Sequence, residues 1–147
     1  MIELFDKIER DIGPLWLVLN NAAILRIGPF VETSVEDWTS VFDVNGKGTF
    51  ISSREAIKRM IPRGKGRIVN MSSIAGYKAR TEQIAYSSVK AAIIHFTRCV
   101  ATEVAKHGIT VNCSTPGMTK TAMLEKAVEE HGTDMDSVVA RIPSGRL

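Results

Sequence analysis

The chain has 147 residues, 44% of them hydrophobic and 24% charged, and a formal net charge of +3. That is one domain's worth of chain with the composition of an ordinary soluble globular protein. The mild charge, with no basic block longer than the turn Arg63-Gly64-Lys65-Gly66-Arg67, argues against a nucleic-acid partner. Two cysteines, Cys99 and Cys113, read as small buried hydrophobes of a reducing compartment. His95, His107 and His131 make no metal-ligand spacing with the cysteines or with each other, so no metal site is expected.

The opening Met1-Ile2-Glu3-Leu4-Phe5-Asp6-Lys7 reads as a charged amphipathic helix without a signal-peptide core. The apolar stretch 15–25 is too short to span a bilayer and holds Asn20 and Asn21, so the expected location is cytoplasmic, with no membrane partner. Three short apolar runs, 15–19, 68–71 and 110–113, show little alternation, which is how strands covered on both faces of a parallel sheet read. A long helical pattern spans 33–60, opening on a capping box at Thr33-Ser34-Val35-Glu36 and ending before Pro62. A second spans 84–106, with Val89, Ala92, Ile93, Phe96, Val100 and Val104 as its buried stripe and Gly108 as its stop. A third helix is expected over 121–130. Helices alternating with strands make an α/β chain with a parallel sheet.

Ligands of such sheets bind beyond the carboxyl ends of the strands. The residues that follow the three runs are Asn20-Asn21-Ala22-Ala23, Ser72-Ser73 and Ser114-Thr115-Pro116-Gly117, so all three polar clusters belong on one rim. The helix carrying Tyr86-Ser87-Ser88-Val89-Lys90 starts near that rim, which brings Ser73, Tyr86 and Lys90 within reach of one another. Tyr86 and Lys90, spaced i, i+4, share a helix face. A cation beside a phenol favours the phenolate, so Tyr86 is expected to be more acidic than the roughly 10 of an ordinary tyrosine. Such a group exchanges a proton with an alcohol or carbonyl oxygen near neutral pH.

Leu19-Asn20-Asn21-Ala22-Ala23, Asn45 in Val44-Asn45-Gly46-Lys47-Gly48, Ile68-Val69-Asn70-Met71-Ser72-Ser73, Tyr86-x-x-x-Lys90 and Val111-Asn112-x-x-x-Pro116-Gly117 occur in that order. Together they resemble the second half of a short-chain dehydrogenase/reductase of the large single-domain group, over nearly the whole chain. The resemblance implies one partial domain over 1–147, built on a partial doubly wound, Rossmann-type parallel sheet with flanking helices. The chain would begin just before the family's fourth strand and lack the first strands and the last.

The resemblance also implies hydride transfer between NAD or NADP and an alcohol/ketone pair, with a small-molecule substrate. Tyr86 would be the general acid or base, and Lys90 would hold it acidic and bond the nicotinamide ribose. Ser73 would donate to the substrate oxygen, being preferred to Ser72 because Ile74-Ala75-Gly76 follows it. Asn45 would hold a water linking Lys90 to a proton path. Asn20 and Ala22 would line the adenosine side of the cofactor cleft, and Pro116, Gly117, Thr119 and Thr121 would shape the nicotinamide pocket. A homodimer or homotetramer through the helices 33–60 and 84–106 is implied as well.

Departures from the family's pattern are small in the motifs and larger outside them. Ala23 replaces the usual glycine, and Gly46 stands where a larger apolar residue is usual, which is expected to loosen the helix at Asn45. No G-x-x-x-G-x-G or G-x-G-x-x-G occurs in the 147 residues. The family's dinucleotide site uses such a turn to cradle the pyrophosphate. The expectations for this chain are therefore an oxidoreductase half-site or, alternatively, an inactive fragment acting as an interaction module.

Overall fold

The computed structural model describes residues 2–130, 132 and 134–147, so His131 lies outside the described residues. Three strands, β1 (Leu17–Asn20), β2 (Gly66–Met71) and β3 (Ile109–Ser114), form a parallel sheet in the order β1-β2-β3. Asn20 is in register with Asn70, and Asn70 with Cys113, so the carboxyl ends of all three strands reach the same rim. The ladder runs one step further, with the Ser72 N–H donating to the Ser114 carbonyl at 2.8 Å.

Among the described residues, one face of this sheet is covered, not two. Val18, Ile68, Ile109 and Val111 point into a core completed by Phe5, Leu15, Ala56, Met60 and Val104. Their strand neighbours Leu17, Leu19, Arg67, Thr110 and Asn112 are exposed. The runs 15–19 and 68–71 are apolar at nearly every position, and such a run cannot by itself show that only alternate side chains are buried.

The helix expected over 33–60 is present in three parts: α2 (Val35–Val41), a wider π-type turn (Phe42–Lys47) and α3 (Gly48–Met60). Its cap is Ser34, one residue later than the expected Thr33: the Ser34 hydroxyl accepts the Asp37 N–H at 2.9 Å. The buried side of this helix is largely polar. Asn45, Thr49, Ser52, Ser53 and Glu55 face inward, while Val35 and Phe50 are exposed. Glu55 is held by Arg54 and Lys58, each at 2.9 Å.

Helix α4 (Ile84–Val104) is followed by a single 3-10 turn and by Gly108, whose φ of 68° supplies the left-handed stop that was expected. Its buried residues are Ala85, Val89, Lys90, Ile93, Ile94, Thr97 and Val104. Ala92 and Cys99, expected inside, are exposed, and Phe96 is only half-buried, its ring meeting that of Phe50 edge-on. The stripe lies about one residue round from the apolar count because Lys90 and Thr97 occupy core positions. Cys113 is half-buried.

Helix α1 (Ile2–Asp11) confirms the amphipathic opening and buries Phe5. Its charged side is tied to the end of α3: Arg59 pairs with Asp6 and lies over the Phe5 ring, and Arg63 bonds Glu9 at 2.8 Å. Residues 116–147 form a second compact unit, separate from residues 1–115. It contains α5 (Ala122–Glu130) and a short α6 (Met135–Ala140), the latter capped by Asp134, whose carboxylate accepts the Ser137 N–H. Among the described residues no helix is long and apolar enough to cross a membrane, and no cluster of His, Cys, Asp and Glu has metal-binding geometry.

Single-sided burial makes a direct prediction. Ile68→Ala, at a fully buried position, should cost about 2–5 kcal/mol in urea unfolding. Leu17→Ala, on the open face, should stay within about 0.5 kcal/mol. Equal losses at the two positions would contradict the one-sided core.

Candidate active site

Lys90 is the buried cation of the rim. It is 2% exposed, and its ammonium donates to the Met71 carbonyl at 2.7 Å, at the end of β2. Burial lowers its pKa from 10.5 to about 8, against the opposing influence of nearby Cys113. One N–H spent on Met71 leaves two donors for other partners. The ammonium also lies over the Tyr86 ring, 5.4 Å from its centroid.

Tyr86 is half-buried, packed with Ile24, Phe42 and Cys113 against Val41, Ala85, Val89 and Ile93. Burial raises its pKa, and the Ser73 hydroxyl only partly offsets this. The expected acidic phenol is therefore overturned for this structure. Desolvation of the phenolate is the dominant influence, and the Lys90 ammonium lies over the ring. The Ser73 influence is that of a loose contact, since no well-formed hydrogen bond joins the two hydroxyls among the described residues.

Ser73 and Ser72 have separate tasks. The Ser72 hydroxyl donates to the Lys90 carbonyl at 2.6 Å and is buried, pinning β2 to α4. Ser73 caps the single 3-10 turn Ile74–Gly76, its oxygen accepting the Ala75 N–H at 3.1 Å. An oxygen that accepts in this way keeps its own O–H free to donate. Gly76 lets that turn rest on α4: a Cβ there would stand 2.9 Å from the Lys90 backbone carbon and from Ile94 Cδ1. Ser73, Tyr86 and Lys90 are thus brought to one place by contact between this turn and α4.

Asn45 is fully buried in the π-type turn. Its side chain grips the loop after β1 at two points, accepting the Ile24 N–H at 2.8 Å and donating to the Ile24 carbonyl at 2.9 Å. Its own carbonyl accepts the Thr49 hydroxyl at 2.7 Å. The side-chain amide is engaged at both its oxygen and its nitrogen, and each keeps one further hydrogen-bonding position for the expected water. Gly46 is explained by packing: a Cβ there would meet Val89 Cγ2 at 3.0 Å. The turn is widened and anchored, where loosening was expected.

Asn20 sits at the end of β1 with its amide directed inward, donating to Ser53 Oγ at 3.0 Å and Asn70 Oδ1 at 2.8 Å. Ala22 is exposed on the following loop. Pro116, Gly117, Thr119 and Thr121 belong to the second unit. There Gly117 has open space about it, Thr119 bonds the Gly117 carbonyl, and the Thr121 hydroxyl accepts the Leu124 N–H at the start of α5. Asn70, wholly buried and hydrogen-bonded at both ends of its amide, is a structural polar residue that the candidates did not include. An Asn inside an otherwise apolar strand is the signal that would have found it.

The buried ammonium can be tested directly. Nitrogen-detected titration should show Lys90 losing its proton near pH 8, apart from the exposed lysines. The unfolded chain holds that proton more tightly, so the lysine's contribution disfavours folding below about pH 8 and is relieved as pH rises toward 10.5. Lys90→Met should abolish this rise. A Lys90 that titrates with the other lysines would refute the assignment.

The family model described as short chain dehydrogenase matches residues 1–132. The chain is 40% identical over 143 residues to the acetoacetyl-CoA reductase of Cupriavidus necator, covering 97% of this chain and 57% of that protein. It is 37% identical over 140 residues to the gluconate 5-dehydrogenase of Gluconobacter oxydans, covering 95% and 54%. Among solved structures, the gluconate 5-dehydrogenase of Burkholderia cenocepacia in complex with NADP and tartrate superposes with a TM-score of 0.90 at 29% identity, over 99% of this chain and 56% of that one. An NAD+-bound xylitol dehydrogenase gives 0.92 at 29% identity, over 99% and 61%. The chain therefore spans a little over half the length of the relatives it matches, and over that span it belongs to the short-chain dehydrogenase family.

Proposed function

We propose that this chain carries the proton-transfer half of an oxidoreductase site that moves hydride between NAD or NADP and an alcohol/ketone pair. The observation that carries the reading is the meeting of Tyr86, Lys90 and Ser73 at the carboxyl rim of the sheet. A phenol kept protonated by burial is the form needed to donate to an oxygen that gains charge as a carbonyl is reduced. Ser73, its oxygen already accepting from Ala75, has a hydrogen to offer the same oxygen.

The donor set fits a nicotinamide ribose. Lys90 retains two N–H donors beyond the one given to Met71. In this reading Lys90 holds the ribose hydroxyls, and Asn20 and Ala22 line the adenosine side. Asn45 positions the loop at Ile24, and a water on its carbonyl would connect Lys90 to a proton path. The nicotinamide, when bound, supplies or receives the hydride. Nothing in the 147 residues provides a glycine-rich cradle for its pyrophosphate.

Assembly through the helices 33–60 and 84–106, as a homodimer or homotetramer, belongs to the same proposal. It is supported by Phe50, 46% exposed, and by small exposed residues Ser88, Ala91 and Ala92 on α4. The missing glycine-rich turn favours a second reading, in which this chain by itself is inactive and serves as an interaction module.

Titration with NADH and NADPH distinguishes the readings. Trp38 stacks on Phe42 beside the Tyr86 cluster and is the appropriate reporter, whereas Trp16 precedes β1 at the opposite end of the strands. Saturable quenching by either cofactor, weakened about tenfold by Lys90→Met, is the expected outcome. No change up to millimolar cofactor would overturn the cofactor reading. With its phosphates uncradled, residues 1–147 alone should give no steady turnover of alcohol or ketone, and measurable turnover would refute that.

A further inference from the structure

The connection from β2 to α4 leaves the rim at Ser73 and returns to it at Tyr86, so it borders both hydroxyls. Its first part is fixed. The Tyr77 and Lys78 N–H groups both donate to the Ile74 carbonyl, at 3.0 and 2.9 Å, and Gly76 rests on α4 at Lys90 and Ile94. Its last part is fixed as well. The Glu82 carbonyl accepts the Gly28 N–H at 2.9 Å. Glu82 also keeps a left-handed φ of 60°, a costly conformation for a residue other than glycine. Lys78 closes the first anchor, and Arg80 lies on the span between the two.

These two cations are not neutralised within the chain. Arg26, Lys47, Arg54 and Lys58 each meet a carboxylate. Lys78 and Arg80 form no ion pair among the described residues. The one acid of this segment, Glu82, lines a recess with Arg26 and Asp37 to which neither cation contributes. Lys78 is exposed and Arg80 is half-buried. Turn closure at Ile74 keeps the Lys78 backbone one turn from Ser73. An ammonium and a guanidinium held there, without an internal acid, offer charged donors to an anion beside the rim.

We infer that Lys78 and Arg80 are specificity-determining residues that select a ketone or alcohol carrying an anionic group, a phosphate or a carboxylate, remote from the reacting carbon. The inference rests on the reading of Ser73 and Tyr86 as the groups that face the reacting oxygen. The two cations take no part in proton or hydride transfer. They act through a difference in affinity between charged and neutral substrates, about tenfold for the pair at this level of exposure. A phosphate of the cofactor is the competing anion, and the experiment separates it from the substrate.

The test is a nuclear magnetic resonance titration of the full chain, with NADP+ present so that no hydride is available to the ketone. Two matched pairs serve as probes: dihydroxyacetone phosphate against dihydroxyacetone, and acetoacetate against acetoacetamide. At least one anionic ketone should bind about tenfold tighter than its neutral counterpart and shift the Ser73, Lys78 and Tyr86 amides together. The pair that shows the preference tells phosphate from carboxylate. Raising the salt about tenfold should shrink the preference. The double variant Lys78→Gln, Arg80→Gln should erase it, while NADH and NADPH affinities stay within about twofold.

Equal affinities within both pairs, or a preference that survives in the double variant, would overturn the inference and leave the oxidoreductase reading intact. So would a variant that loses cofactor affinity and keeps the preference, which would assign the two cations to a cofactor phosphate. Inorganic phosphate that shifts Lys78 as strongly as the anionic ketones do, with Ser73 and Tyr86 unmoved by any ketone, would reduce the site to adventitious anion binding. Failure of the wild type to bind either cofactor or any ketone would remove the reading on which the inference rests, and the inference with it.

Discussion

A lysine ammonium is expensive to bury, and the rim of this sheet is arranged around having buried one. Lys90 sits in the core stripe of α4, and its charge is met by a strand-end carbonyl, Met71, and by the face of an aromatic ring. The Ser72 hydroxyl closes the reverse link from β2 to the Lys90 carbonyl. Helix and strand are thereby fixed at the point where β2 leaves the sheet, which is also where Ser73 and the Ile74–Gly76 turn begin. Desolvation weakens the charge that is held, so the cation is poised near pH 8, and it raises Tyr86 at the same time. One act of burial thus sets the position and the proton affinity of both groups.

The same polar economy runs through the helical run from α2 to α3. The inward side of α3 and of the turn before it carries Asn45, Thr49, Ser52, Ser53 and Glu55 where an aliphatic stripe would be ordinary. Asn45 is used to grip the loop at Ile24, and the π-type turn lets it do so without breaking the helix. Gly46 gives α4 room to approach at Val89, as Gly76 does at Lys90 and Ile94. Each glycine stands where a neighbouring element comes too close for a side chain. Packing at these two contacts decides where Tyr86 and Ser73 meet.

Much of this could be read from residues in order. The three apolar runs, each followed by a polar cluster, are enough to place Asn20, Ser73 and Ser114 on one rim, because parallel strands end on one side. Tyr86 and Lys90 share a helix face through spacing alone. Less accessible was anything set by neighbours distant in sequence. Ser34 in place of Thr33 as the cap is a choice between adjacent hydroxyls made by local geometry. The exposure of Ala92 and Cys99 follows from Lys90 and Thr97 taking core positions, which no apolar count anticipates. Asn70 escaped notice because a buried amide shows its worth only when its partners Asn20 and Thr97, 50 and 27 residues away, are in place.

Residue order alone therefore established the α/β layering, the parallel sheet, the family likeness and the identity of the rim residues, since these depend on periodicity and on motifs of adjacent residues. Folding in three dimensions decided the rest. It buried alternate side chains of the strands, turned the amides of Asn20 and Asn45 toward protein partners, and moved Tyr86 and Lys90 toward their neutral forms. The physical reason is that burial and hydrogen-bond partnership belong to a residue's surroundings, and those surroundings are assembled from segments far apart along the chain.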